Sequence, residues 1–152
     1  MKEQEIRAIL ANVCSELDAR AARRARQAGS KVIGPAVLGV VLAHEYGHTI
    51  QERIGALDRP LATVVTEQQA DCFAGIWGHH ANRSRQLLEQ GDIEEGLNAA
   101  SAIGDDRLQR QARGYVSPDS FTHGSSAQRV RWFRTGLEHG RLSACNTFAA
   151  LR

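Results

Sequence analysis

A chain of 152 residues with 42% hydrophobic content can bury one domain-sized core, which excludes wholesale disorder. A net charge of +2 is close to balance and indicates neither a nucleic-acid surface nor an acidic partner. The longest apolar run, Val32 to Ala43, is interrupted by Gly34-Pro35 and is too short to cross a bilayer.

Residues 4 to 28 read as an amphipathic helix, with Ile6, Ile9, Leu10, Val13 and Leu17 at helical spacing and Gly29 as the stop. The charged start Lys2-Glu3-Gln4-Glu5 lacks the apolar stretch of a signal peptide. The basic cluster Arg20, Arg23, Arg24 and Arg26 reads as a solvated helix end whose cations suit the macrodipole. A short extended piece fits only near Lys31 to Ile33. Pro35 suits a first helical turn, so the next helix is expected from there to about Arg53, with Gly55 ending it. Asp58-Arg59-Pro60 is a loop, and a third helix covers about 63 to 81.

Asp92 with Glu95 has the spacing of a capping box and predicts a helix over about 93 to 102. Gly104-Asp105-Asp106 breaks it and opens another to about Arg113. Residues 114 to 124 read as an irregular loop around Pro118. The last helix runs from about Ser126 to Glu138, with Ala127, Val130, Phe133 and Leu137 on one face and Gly140 as its end. The fold is expected to be mostly α, with little or no β-sheet. Cys14, Cys72 and Cys145 form no CxxC pair. The odd count argues against a disulfide framework while leaving room for one bridge, and Cys72 reads as a small buried residue.

The chemistry is concentrated in two strings. In His44-Glu45-Tyr46-Gly47-His48 the histidines stand four apart, on one face of the predicted helix, so both imidazoles can meet one ion. Neutral imidazole suits Zn2+, and Glu45 stands one step round, where it can act on a water without becoming a ligand. A catalytic zinc keeps three protein ligands and an open position. The next helix offers Glu67 as the third ligand. Asp71, one turn further, can accept the free N–H of a ligand histidine. The stripe Glu67, Asp71, Ala74, Gly78 is expected to face the HEYGH helix, while Phe73, Ile76 and Trp77 point elsewhere. His79 and His80 could be rival ligands, but adjacent positions do not share a face; they read as a cap on the third helix's C-terminus. Tyr46, Tyr115 and Trp132 are expected to pack in the core.

HEYGH, VVTEQQADCFAGIWGHH, AIGDDRLQ and SPDSFTHGSSAQRVRWFRTGLEHG together resemble the bacterial family called putative neutral zinc metallopeptidase, over roughly residues 36 to 148. The resemblance implies a zincin-like domain of the gluzincin type, with His44, His48 and Glu67 on one Zn2+ and Glu45 as the base. The segment Thr122 to Arg129 also looks like the His-then-Arg segment of CAAX-prenyl-protease-like gluzincins. In that comparison His123 stabilises the oxyanion and Arg129 orders the site. From the residues alone, His123 is a histidine in a Gly-flanked loop, free to reach a cleft or to stay on the surface.

The expected organisation is an N-terminal helix and linker over 1–34 and a zinc metallopeptidase domain over 35–152. The expected partner is a peptide or protein substrate, with no nucleic acid and no transmembrane segment. Longer relatives of this kind suggest a membrane-associated or extracytoplasmic setting. Only 43 residues precede His44, and they read as helical, so no edge strand is expected there to align a substrate. That feature keeps a second reading open, a zinc-binding domain without peptidase activity that serves as a structural or regulatory partner.

Overall fold

The computed structural model describes residues 35–58, 62–85 and 91–151. The helix expected over 4–28, the arginine cluster, Cys14 and the extended piece near 31–33 lie outside the described residues. Among the described residues every regular element is helical. The α-helices are α1 (Pro35–Arg53), α2 (Thr63–Arg85), α3 (Asp92–Ala102), α4 (Asp105–Arg113) and α5 (Ser126–His139). Short 3-10 turns lie at Pro118–Ser120, Leu142–Ala144 and Thr147–Leu151, among others.

Helix ends follow local chemistry in most places. Gly55 ends α1 at φ 70 and Gly140 ends α5 at φ 61, left-handed conformations that favour glycine. Ser125 and Gln128 form a capping box at the start of α5. The capping box expected at Asp92 and Glu95 is not formed. The N-cap of α3 is Gly91, whose carbonyl accepts the Glu95 N–H at 2.9 Å, so Asp92 falls one place inside the helix.

α2 is the central element; nearly every residue from Gln68 to Gly78 is buried. It packs most extensively on α5 and next on α1. Small residues set both approaches. A methyl group at Gly75 would collide with the Phe133 carbonyl, and one at Gly136 with the Cys72 carbonyl. Towards α1, Gly47 rests on Ala70, where an added Cβ would stand 3.1 Å from the Ala70 Cα. α3 closes the other side through Gly96, which lies against Val40 and Phe133.

Two apolar clusters result among the described residues. One joins Ala43, Ala74, Trp77, Ala81 and Phe133; the other joins Ile50, Cys72, Phe73, Ile76 and Cys145, with Tyr46 and Trp132 packed against it. Several faces differ from expectation. Trp77 covers Gly39 of α1, while Gly78 meets Leu137 of α5. Ala127 is exposed and Arg129 is buried in its stead. Tyr115 is 62% exposed and takes no part in the core.

His79 and His80 do not end α2, which continues to Arg85. Their ring N–H groups donate to Leu137 O and Gly140 O, each at 2.8 Å. They satisfy carbonyls at the C-terminus of α5, a neighbouring helix rather than their own.

Cys72 is not a free buried thiol; it forms a disulfide with Cys145. The bridge closes a loop of sequence separation 73 and ties the C-terminal turns to α2. In the chain-entropy model a loop of that size destabilises the unfolded chain by about 4 kcal/mol. Replacing both cysteines with alanine is therefore expected to lower unfolding free energy by that amount. Urea titration of parent and double variant measures it, and coincident curves would contradict the bridge.

Candidate metal centre

α1 carries His44, Glu45 and His48 within its middle turns, and α2 carries Glu67 and Asp71 on the side it turns to α1. The crossing brings the groups together. Ligand atoms of His44, His48 and Glu67 all lie within 4.8 Å of one another. His44 Nε2 stands 3.1 Å from Glu67 Oε2, and His48 Nε2 stands 3.5 Å from Glu67 Oε1. A tetrahedral zinc with bonds of roughly 2.0–2.1 Å spaces its ligand atoms about 3.3 Å apart. Both imidazole–carboxylate separations match that spacing, and the three ligand atoms lie close enough together to share one ion.

Both rings are also oriented for it. His44 Nδ1–H donates to Asp71 Oδ1 at 2.9 Å, which leaves Nε2 as the atom facing Glu67. Asp71 is itself gripped by Arg129, Nε to Oδ2 at 2.9 Å and Nη2 to Oδ1 at 2.7 Å. A third guanidinium nitrogen donates to Ile103 O at 3.3 Å. Arg129 thus reaches the site through Asp71, and both side chains are almost wholly buried. Burying a carboxylate without a partner is costly, so the guanidinium is what permits Asp71 behind His44.

His48 Nδ1 lies 2.9 Å from Gln51 Oε1, and Gln51 bonds to Gln69. Neither glutamine was singled out by spacing. The available signals were weak: Gln51 follows His48 by three on the same helix, and Gln69 sits inside EQQAD.

His123 lies in the loop ahead of α5 and is about half exposed. Its Nε2 is 4.0 Å from Glu67 Oε2, so the loop does deliver this ring to the donors. Asp105, also missed in the sequence, holds the loop. Its Oδ2 accepts the backbone N–H groups of Thr122, His123 and Gly124 at 2.7, 2.7 and 2.9 Å. Burial opposes ionisation of Asp105, but these three bonds outweigh it and hold its carboxyl below the usual range.

A cleft of about 290 Å³ opens over these groups. Glu45 and His123 stand on its wall beside the three donors. Val40, Val41 and Ile103 form an aliphatic side of the same cleft.

The electrostatics couple protons to the donor set. Burial disfavours the His44 cation, yet hydrogen bonds to Asp71 and Glu67 more than offset it and raise its pKa to about 9. Burial likewise opposes ionisation of Glu67, but bonds from His44 and His48 hold its carboxyl well below the ordinary range. His48 is raised, chiefly by its bond to Glu67. Without a metal, then, a protonated His44 ring faces Glu67. The stabilisation from protonated His44 is fully present below its ordinary value of 6.5 and is lost as pH rises through about 9.

A metal held by these residues must displace that proton, so its affinity runs the opposite way. Zinc affinity is expected to rise between pH 6.5 and 9, by about tenfold per unit for each proton displaced. The metal-free chain should lose thermal stability across the same window. Calorimetric zinc titrations and chelator-treated melts at several pH values test both; a flat affinity would contradict the proton competition.

Comparison with known proteins places these residues in a family. Residues 25–148 match the family described as "Putative neutral zinc metallopeptidase". The chain belongs to this family. The match begins ahead of α1 and spans every donor named above. Among curated relatives, "Uncharacterized protein YpfJ" of Escherichia coli (strain K12) is 49% identical over 123 residues, covering 72% of this chain and 42% of the relative. "Uncharacterized protein Rv2575" of Mycobacterium tuberculosis (strain ATCC 25618 / H37Rv) is 41% identical over 134 residues, covering 77% and 46%. The chain therefore spans less than half the length of these relatives. No solved structure matches it at a significant level. No helix among the described residues is long and apolar enough to cross a membrane.

Proposed function

We propose that this chain is a zinc-dependent metallopeptidase that hydrolyses peptide bonds in a peptide or protein substrate. The observation that carries the reading is the convergence of His44, His48 and Glu67 on the wall of a cleft that also holds Glu45 and His123. In this reading His44, His48 and Glu67 hold the ion through the two Nε2 atoms and the carboxylate. Bound there, Zn2+ would supply Lewis acidity that polarises a carbonyl and makes water acidic near neutral pH.

The remaining work belongs to the chain. Glu45 is exposed on the cleft wall, one position round α1 from His44. Its carboxylate accepts the proton of the attacking water and later passes it to the leaving amine. His123 offers a ring N–H to the oxygen on which negative charge develops. Asp105 keeps that ring at the cleft by holding three consecutive backbone N–H groups. Asp71, braced by Arg129, holds His44 in the tautomer whose Nε2 faces the other donors.

The Cys72–Cys145 disulfide supports an extracytoplasmic setting, because such bonds persist where the environment is oxidising. No nucleic-acid partner is proposed. A zinc-binding domain without peptidase activity is the second reading. It is favoured by one feature: among the described residues no strand flanks the cleft to pair with an extended substrate.

The two readings part on one experiment. The zinc-loaded chain is incubated with casein and with a broad peptide library, with and without chelator. Chelator-sensitive cleavage supports the peptidase. One zinc per chain with no cleavage of either substrate supports the second reading.

A further inference from the structure

We propose that Gln51 and Gln69 are positioning residues that determine which ring nitrogen His48 presents to a divalent metal ion. The inference rests on the metal reading of His44, His48 and Glu67 and extends it to groups that touch neither metal nor substrate.

The Gln51 side chain is wholly buried. Its Nε2 donates to Thr66 O at 2.7 Å and to Gln69 Oε1 at 3.0 Å, so both amide hydrogens are committed. The atom left to face His48 is Oε1, 2.9 Å from Nδ1, and it can only accept. The sense of Gln69 is imposed in turn. Its Nε2 donates to Cys145 O at 3.1 Å, which leaves Oε1 for Gln51. Both ends of this chain are backbone carbonyls, which have no proton to give. Only one direction of donation satisfies every member, and it makes His48 Nδ1 a donor. Nε2 then carries the lone pair and faces Glu67.

With Gln51 turned over, its NH2 would face Nδ1 and favour the Nε2–H tautomer, which cannot ligate through Nε2. The turned amide would also set its oxygen against Thr66 O. Gln69 prevents this from a distance. Its anchor, the Cys145 carbonyl, is held by the bridge to Cys72, and nearby Thr147 Oγ1 donates to Val65 O at 3.0 Å. The C-terminal turns thereby take part in presenting a metal ligand on α1.

The test measures Zn2+ affinity by competition with a chromophoric chelator for the parent, Gln51→Leu, Gln69→Leu and Gln51→Glu. Gln51→Leu should bind Zn2+ about 10–100-fold more weakly, and Gln69→Leu, one hydrogen bond further out, more weakly than the parent by a smaller factor. Gln51→Glu keeps an acceptor at Nδ1 but sets its second oxygen against Thr66 O, so its affinity should fall between those of Gln51→Leu and the parent. Long-range 1H–15N spectra of the zinc-loaded parent should show a slowly exchanging His48 Nδ1–H that Gln51→Leu exposes to solvent exchange. Circular dichroism checks folding; if Gln51→Leu does not fold, Gln69→Leu and Gln51→Glu decide the matter. Parent-like affinity in the folded leucine variants overturns the proposal. A parent chain that binds no Zn2+ instead removes the metal reading, and this inference with it.

Discussion

Replacing Glu45 with glutamine is expected to slow peptide hydrolysis by about 10²–10⁴-fold, the range over which a positioned acid–base group contributes. Zinc content should stay at one per chain. The substitution keeps the shape of the side chain and removes only its ability to accept a proton. Glu45 is exposed and faces the cleft, so the fold loses no buried contact. The proposed metal donors are other residues, and neither ring loses an orienting partner. The variant thus separates proton transfer from metal binding. Steady-state cleavage beside metal analysis checks it. Cleavage at the parental rate would remove Glu45 from its assigned role.

His48→Ala should have the largest effect on the metal itself. It leaves two protein donors of three, and affinity is expected to fall by at least about 10²-fold, beyond the usual cost of losing an outer partner. The folded state should suffer far less, because the His48 side chain is 30% exposed. Zinc at about a hundred times its dissociation constant stabilises a folded chain by about 2.7 kcal/mol. Added zinc should therefore raise the melting temperature of the parent and barely move that of the variant. Metal analysis of both purified chains gives the second readout. A variant that retains one zinc per chain would mean that His48 is not a ligand.

These expectations concern residues that could be read at helical spacing. His44 and His48 stand four apart, as do Glu67 and Asp71, and that periodicity already puts each pair on one face. The structure finds Asp71 against His44 and Glu67 between the two rings. The spacing could not say what else those faces meet. Trp77 and Gly78 are neighbours in sequence, yet one packs on α1 and the other on α5. That division depends on α2 lying between two helices, which no window of the sequence contains.

The groups that orient the site were harder still to read. Gln51 and Gln69 are amides without a distinctive local pattern, and their roles depend on the carbonyls of Thr66 and Cys145. Asp105 holds N–H groups 17 to 19 positions away, across a loop of irregular backbone. The Cys72–Cys145 pairing gave no spacing signal. His79 and His80 looked like the end of their own helix because the carbonyls they satisfy belong to α5.

Local order along the chain was enough to specify helices, most of their ends, and the three residues that form the candidate metal group. It acts through contacts three and four residues apart and through glycines that stop a helix. The crossings of α2 with α1 and α5 specified the rest: which nitrogen of each ring faces Glu67, which carboxylate braces which loop, and which cysteines join. Close approach at Gly47, Gly75 and Gly136 makes those crossings possible. The hydrogen bonds that orient the rings then form between groups that only the packed helices bring within reach.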